Sequence, residues 1–330
     1  MGGKTEMLTV NELFSGIGAQ AKALERLGIP HEIVCTSDID KDAIVSYAAI
    51  HCGLTPIMVD TYDKYPPRQE MADYLAKLNI GAEFKDGVMK PYNWNIFVRR
   101  KDRTLEKYWL AAVISKQVGD ISKVDKLPKA DMWTYSFPCT DLSIAGKQQG
   151  ISKDTRSGLL LEVERLLLKS AEFGELPCYL QLENVKNLVG KRFKNDFYRW
   201  LDFLEALGYE NHWKIINAKD CGVPQNRERV FCISIKRELQ QDFEFPPQIP
   251  LELRLKDLLE KGVPKKYYLS QKSLENFITC IDGEIGGVNL SNKGTKLEGQ
   301  TEIANCLMAR DYKGFGNQKM TGVFELDRKE

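Results

Sequence analysis

Ser136-Phe137-Pro138-Cys139 closes a short apolar run, Asp131-Met132-Trp133-Thr134-Tyr135, and further along come Glu183-Asn184-Val185 and then Gln225-Asn226-Arg227-Glu228-Arg229. A thiol, a carboxyl and a guanidinium in that order suit one chemistry. Sulfur adds to a pyrimidine ring, and the ring carbon that becomes electron-rich is methylated. Cys139 follows a proline at a strand end and precedes a polar loop, Thr140–Ser157. A lone cysteine is by default a small buried apolar group. Here the loop supplies exposure, and the adjoining backbone amides favour a thiolate. Glu183 ends the apolar strand Tyr179-Leu180-Gln181-Leu182. A carboxyl there is partly desolvated, which favours the protonated form that can donate to a ring nitrogen. The bland alternative is a surface strand-end glutamate. Arg227 and Arg229 alternate on one face of a strand leading into Val230-Phe231, placed to orient a base, a carboxyl or a phosphate. Read singly, they are equally solvated edge-strand arginines.

A second group of residues reads as a nucleoside site. Phe14-Ser15-Gly16-Ile17-Gly18 is a glycine turn between a strand and a helix, where backbone N–H groups approach an anionic ligand. Without a ligand it is simply a tight turn. Asp38, ending the next strand, suits a ribose diol. The turn lacks the full G-x-G-x-x-G spacing, so a single nucleoside cofactor fits better than a dinucleotide.

The elements that position these residues follow the alternation of apolar runs. Residues 7–16 read as a strand, Ile17–Leu27 as a helix, His31–Thr36 as a second strand, and the stretch after Asp38-Ile39-Asp40 as a helix. That opening is the start of a doubly wound α/β sheet. Residues of about 60–115 differ. They are basic and aromatic (Tyr92, Trp94, Phe97, Arg99, Arg100, Lys101, Arg103, Tyr108, Trp109), lack a clean strand period, and read as an insertion with helices near Glu70–Leu78 and Leu105–Lys116. The sheet resumes with strand Asp131–Phe137, helix Gly158–Phe173, strand Tyr179–Glu183, a helix near Phe193–Leu207, and strands near His212–Ala218 and Val230–Ile235. Pro246-Pro247 and Pro250 mark a linker. The expected domains are therefore 1–248 and a smaller, incomplete unit at 249–330.

The bulk numbers agree with a soluble globular enzyme. The chain has 330 residues, 43% hydrophobic and 28% charged, with a formal net charge of +1. Any nucleic-acid surface must therefore be local. No apolar stretch is long enough to span a bilayer and no signal-peptide apolar region opens the chain, so a membrane partner is not expected. Eight cysteines stand singly and histidines number three, which argues against a zinc site or a disulfide framework and suits a reducing cytoplasm.

Together the motifs resemble the cytosine-C5 DNA methyltransferase family, from about residue 8 to the end. Phe14–Gly18 is similar to the family's cofactor turn, Asp38-Ile39-Asp40 to its ribose motif, and Gly119-Asp120-Ile121 to its adenine-binding Asp-Ile. Thr155-Arg156-Ser157-Gly158-Leu159-Leu160 resembles the helix start that closes over the cofactor. Lys256-Asp257-Leu258-Leu259 resembles the entry to the target-recognition domain, and Ala304-Asn305-Cys306-Leu307 its Thr-Leu region. The resemblance implies a doubly wound Rossmann-like domain binding S-adenosylmethionine, plus a partial target-recognition domain. It implies that Cys139, presented by Pro138, adds to C6 of a flipped cytosine in duplex DNA. Glu183, beside Asn184, would then bond N3, with Arg227 and Arg229 supporting the base. The cofactor would be held by Phe14, Ser15, Gly16, Ile17, Gly18, Asp38, Ile39, Asp120, Ile121, Pro138 and Leu159. Loop residues Ser143, Lys147 and Gln148, with Gln225 and Arg227, would face DNA as the loop closes over the extruded base. A bacterial or phage origin and a restriction-modification role follow from the family alone.

The sequence departs from the pattern in three small places: Ser15 for Ala, Thr140 for Gln after the nucleophile, and Asp38 for Glu. The family's later Glu-Cys and Gly-Asn segments are not found; Gly316-Asn317-Gln318 follows the recognition-like segment directly. The expectation is a chain that works with a second polypeptide supplying them. The competing expectations are a tRNA cytosine-C5 methyltransferase and a non-catalytic fragment that binds DNA or a partner chain.

Overall fold

The computed structural model describes residues 7–85, 88–138 and 158–265, with the short pieces 288–290, 295–297 and 303–305. Two compact units emerge: Met1–Ile215 with Val230–Glu244, and Ile216–Arg229 with Phe245–Glu330.

The first unit is built on a six-stranded sheet. Its strands in chain order are β1 (Leu8–Leu13), β2 (His31–Ser37), β3 (Met132–Tyr135), β4 (Tyr179–Val185), β5 (Tyr209–Asn217) and β6 (Glu228–Lys236). Their order across the sheet is β2-β1-β3-β4-β6-β5. The pairs β1–β2, β1–β3 and β3–β4 are parallel. From β1 the chain builds outward first one way and then the other, so the strand order reverses between β1 and β3. In open α/β sheets the crevice outside the carboxyl ends at such a reversal is where ligands bind.

Helices α1 (Ala19–Arg26) and α2 (Lys41–His51) frame β2 in sequence. Asp40 starts α2: its Oδ1 accepts from the N–H groups of Asp42 and Ala43, at 2.9 and 3.1 Å. This uses the capping carboxylate that an α-helix N-terminus needs. Helices α7 (Leu159–Glu172) and α8 (Lys194–Ala206) carry apolar stripes, Leu160-Val163-Leu167 and Phe197-Trp200-Leu204. These stripes close over Trp133, Tyr135, Leu180 and Leu182 of the sheet in one core.

The insertion is helical, as its sequence suggests: α3 (Pro56–Thr61), α4 (Arg68–Lys77), α5 (Asn95–Val98) and α6 (Thr104–Ile114). Its aromatic residues serve packing. Trp94, Phe97 and Tyr108 are buried with Met71, Leu75 and Leu110 in a second core that also takes Ile44 and Ala48 of α2. A hairpin of Glu83–Lys85 with Val88–Lys90 adds two strands that the sequence reading lacks. The strand expected at His212–Ala218 starts earlier, at Tyr209, because that ring is fully buried and its hydroxyl donates to Pro177 O at 2.6 Å.

In the second unit, Gln225–Asn226 pairs in parallel with Ala304–Asn305, and Cys221 bridges to Ile249. Among the described residues no helix is long and apolar enough to cross a membrane.

Candidate functional site

The glycine turn lies at the carboxyl end of β1. Phe14, Gly16 and Gly18 all take positive φ, at 54°, 52° and 81°. For phenylalanine this conformation is strained, and such strain persists where the surroundings over-determine it. The surroundings here are specific. Ser15 N–H donates to Ser37 O at 2.9 Å and Gly16 N–H to Asp38 Oδ2 at 2.8 Å. Asp38 Oδ1 accepts from Asp40 N–H, also at 2.8 Å. Burial pushes the Asp38 carboxyl above the usual carboxylate range, against these donors, which pull it down.

Beneath the turn lies a polar group that sequence reading missed. Glu12 is 1% exposed, and its two oxygens accept from Ala21 N–H at 3.2 Å and Tyr47 Oη at 2.8 Å. Burial raises its carboxyl, and the two donors offset part of that rise. One turn beyond Tyr47, His51 Nε2 lies 3.1 Å from Ile17 O. No local pattern marks these residues, because Glu12 sits in an apolar strand and its partners lie on two different helices, Ala21 on α1 and Tyr47 on α2.

A further segment joins this edge. Ser37 Oγ donates to Gly119 O at 2.6 Å, which brings Gly119-Asp120-Ile121 beside Asp38. Asp120 is 7% exposed. Its Oδ1 accepts from Ser122 N–H and Oγ, and its Oδ2 from Asn79 Nδ2 at 2.8 Å. Ile39 is half-buried and Ile121 buried.

Past the strand-order reversal, the end of β3 meets β4. Tyr135 pairs with Leu182. Just beyond, Ser136 Oγ donates to Glu183 Oε2 at 3.0 Å and Asn184 Nδ2 donates to Phe137 O, also at 3.0 Å. The two hydrogen bonds hold Ser136-Phe137-Pro138 and Glu183-Asn184 side by side. Cys139, Ser143, Lys147 and Gln148 lie outside the described residues. Leu159 opens α7, where Arg165 Nη2 donates to Ile121 O and Val124 O.

In the second unit, Arg227 sits just before β6, its N–H bonded to Asn217 Oδ1 at 3.0 Å and its carbonyl accepting from Ala218 N–H. Arg227 and Arg229 are half-buried on either side of exposed Glu228, the alternation expected of a strand. Gln225 pairs with Ala304, so the Gln-x-Arg-x-Arg segment and the recognition-like segment are neighbours within this unit.

The residues at the β1 turn fit a nucleoside cofactor. Ser15 Oγ is buried without a hydrogen-bond partner among the described residues. A Cβ added at Gly16 would meet nothing within 4 Å. Polar capacity and open space therefore coincide where the strand order reverses. Among the described residues no group of three His, Cys, Asp or Glu side chains could hold a metal ion.

The family model of the C-5 cytosine-specific DNA methylases matches residues 70–310. The chain is 42% identical over 290 residues to the Type II methyltransferase M2.ScrFI of Lactococcus lactis subsp. cremoris, covering 84% of this chain and 76% of that protein. It is 39% identical over 275 residues to the orphan methyltransferase M.SssI of Spiroplasma monobiae, covering 81% of this chain and 68% of that one. Among solved structures, the Entamoeba histolytica methyltransferase EhMeth matches with a TM-score of 0.53 at 14% identity, over 92% of this chain and 72% of its own. At that identity the likeness speaks for the fold.

Proposed function

The chain belongs to the C-5 cytosine-specific DNA methylase family, and on that premise we propose how its own residues divide the work of methylating carbon 5 of cytosine in duplex DNA. When bound, S-adenosylmethionine supplies an electrophilic methyl group on a sulfonium that leaves as a thioether. The turn Phe14–Gly18 and Leu159 enclose that cofactor, with the carboxylate of Asp38 and the adjacent Ile39 at its ribose, and Asp120-Ile121 at its adenine. The free lone pairs of Asp38 and Asp120 remain available after their in-chain hydrogen bonds, since each carboxylate offers about four acceptor sites.

Cys139, held in place by Pro138, attacks C6 of an extruded cytosine as the thiolate. A C–S bond forms, and the electron pair of the C5=C6 bond moves to C5 and N3. Glu183 bonds N3 and moderates the charge that develops there. Carbon 5 takes the methyl group, loses its proton to a base, and the C–S bond breaks to restore the ring and the thiolate. Arg227 and Arg229 support the base or its phosphate. Ser143, Lys147, Gln148 and Gln225 contact DNA around the flipped position. Asn184 keeps the Pro-Cys strand end in register through Phe137 O. A cytoplasmic setting, where bacterial or phage DNA is accessible, fits both the relatives' origins and the free cysteines among the described residues.

The observation that carries this reading is the pair of hydrogen bonds tying Ser136-Phe137-Pro138 to Glu183-Asn184, since nucleophile and acid must reach one ring. Incubation with cofactor and duplex DNA containing 5-fluorocytosine tests it. The intact chain is expected to form a denaturation-resistant adduct at the fluorinated base, and Cys139→Ala to form none. Methylation surviving in Cys139→Ala refutes the assignment.

A further inference from the structure

We propose that the loop Arg99-Arg100-Lys101, between α5 and α6, grips the phosphate backbone of the duplex flanking the flipped base. The inference rests on the DNA-methylating reading above. The loop is anomalous for its chain: Arg99, Arg100, Lys101 and Arg103 stand within five residues of one another, against a net charge of +1 for the whole sequence. All of Arg99–Arg103 are exposed.

Its position follows from the two ends of α6. Near the start of the helix, Tyr108 Oη donates to Asp42 Oδ1 at 2.7 Å, in the first turn of α2 just past the carboxyl end of β2. Beyond its other end, Lys116 Nζ reaches Glu32 Oε1 and Ile33 O, both at 2.9 Å, near the start of β2. Helix α6 therefore runs from the carboxyl side of the sheet toward the amino side. Arg103 precedes Tyr108 by about 7 Å of helix rise. The basic loop thus stands on the sheet's carboxyl side, the side that carries Asp38, Ser136 and Glu183.

The loop's other members are already committed. Arg103 pairs with Asp60 Oδ1 at 3.7 Å and with Glu106 Oε1 at 3.4 Å. Asp102, the one acid, turns its Oδ1 to the N–H of Thr104 at 3.0 Å. The guanidinium of Arg100 lies 4.6 Å from the Phe97 ring centroid, which preorganises it. Among the described residues no acidic side chain pairs with Arg99, Arg100 or Lys101. Closely spaced cations on a fixed loop suit phosphodiester oxygens, which are recognised by charge and without regard to sequence.

The test is duplex binding by the full chain, followed by fluorescence anisotropy across salt concentrations, for wild type and R99A/R100A/K101A. Each phosphate contact contributes about 0.9 to the slope of log affinity against log salt. The triple variant is expected to lose about 2 to 3 from that slope and at least about tenfold in affinity at low salt, with its melting temperature unchanged. R99K/R100K, which keeps both charges, should retain the wild-type slope. An unchanged slope in the triple variant overturns the proposal, as does loss of slope in the lysine variant. Loss of poly-glutamate binding with DNA binding intact would reassign the loop to an acidic protein. A wild-type chain that binds no duplex refutes the DNA-methylating reading itself, and this proposal with it.

Discussion

Ser136 donates its hydroxyl to Glu183 Oε2 at 3.0 Å, across the ends of the adjacent strands β3 and β4. The serine stands three residues before Cys139, so one hydrogen bond ties the segment that presents the thiol to the acid proposed to meet the same ring. A net intramolecular hydrogen bond is worth about 0.5–1.5 kcal/mol. Ser136→Ala is therefore expected to lower kcat for methyl transfer by roughly twofold to tenfold, while KM for S-adenosylmethionine stays within about twofold of wild type. Steady-state kinetics separate the two parameters. A kcat indistinguishable from wild type would show that Glu183 is positioned without Ser136.

Gly18 cannot carry a side chain in this turn. Its φ is 81°, and an added Cβ would lie 2.3 Å from His51 Nε2 and 2.7 Å from Tyr47 Cε2. Tyr47 cannot yield easily, because Glu12 holds its hydroxyl. Gly18→Ala should then lower the melting temperature by several degrees and weaken cofactor binding at least tenfold by calorimetry. Gly16→Ala, at φ 52° with open space around the new Cβ, should cost only the conformational share, about 1 kcal/mol. Equal destabilisation by the two variants would contradict the role given to the Tyr47–His51 face.

Glu12 gives the fold a pH signature. Its carboxyl is raised by burial in the folded chain and returns to the ordinary carboxylate range on unfolding. A raised folded value adds stability that is complete at pH below the unfolded range and is lost as pH climbs through the folded value. At neutral pH the fold therefore bears the cost of a buried carboxylate. Asp38 shifts in the same direction, so the comparison must be a difference. Denaturant melts of wild type and Glu12→Gln, from about pH 4 to 7, should show the variant gaining relative stability as pH rises. A difference that stays flat across that window would place the Glu12 titration elsewhere. Tyr47→Phe, which strands an acceptor, should cost about 1–3 kcal/mol at neutral pH.

Local pattern made the turn, the strands and Asp38 readable, because their signals lie within a few residues. The β1 apolar run breaks at Ser15-Gly16, and the acidic residue follows the next strand directly. Ser136 was in plain view inside the Pro-Cys tetrad, but its partner depends on the β3–β4 register, which no local spacing encodes. Glu12 and Tyr47 are 35 positions apart in the chain and meet only in the tertiary fold. The insertion lacked a readable period for a physical reason. Helix α6 buries Leu105, Glu106, Tyr108, Leu110, Ala111 and Ala112, so apolar residues run around most of its circumference. The aromatic residues of the insertion are largely the filling of that second core.

Arg68 and Glu106 show how that core supports the cofactor side. Glu106 is 4% exposed and ion-paired with Arg68 Nη1. Arg68 also donates from Nε to Val98 O at 3.0 Å and from Nη2 to Phe97 O at 2.7 Å, so it joins α4 to α5 and α6. Removing Arg68 leaves Glu106 only its longer contact to Arg103 Nη1, at 3.4 Å, and removing Glu106 strands the guanidinium of Arg68. Breaking a buried pair costs up to about 3–5 kcal/mol, whereas an apolar pair of similar volume is often neutral. The C-terminal end of α4 leads directly to the ligand edge: Leu78 O accepts from Asp120 N–H at 3.0 Å, and Asn79 Nδ2 holds Asp120 Oδ2. Arg68→Ala and Glu106→Ala should each lower stability in urea melts by about that amount and weaken S-adenosylmethionine binding through Asp120. R68M/E106L should restore most of both. If the double variant recovers stability but not cofactor affinity, the pair acts on the site by a route other than the α4–Asp120 connection.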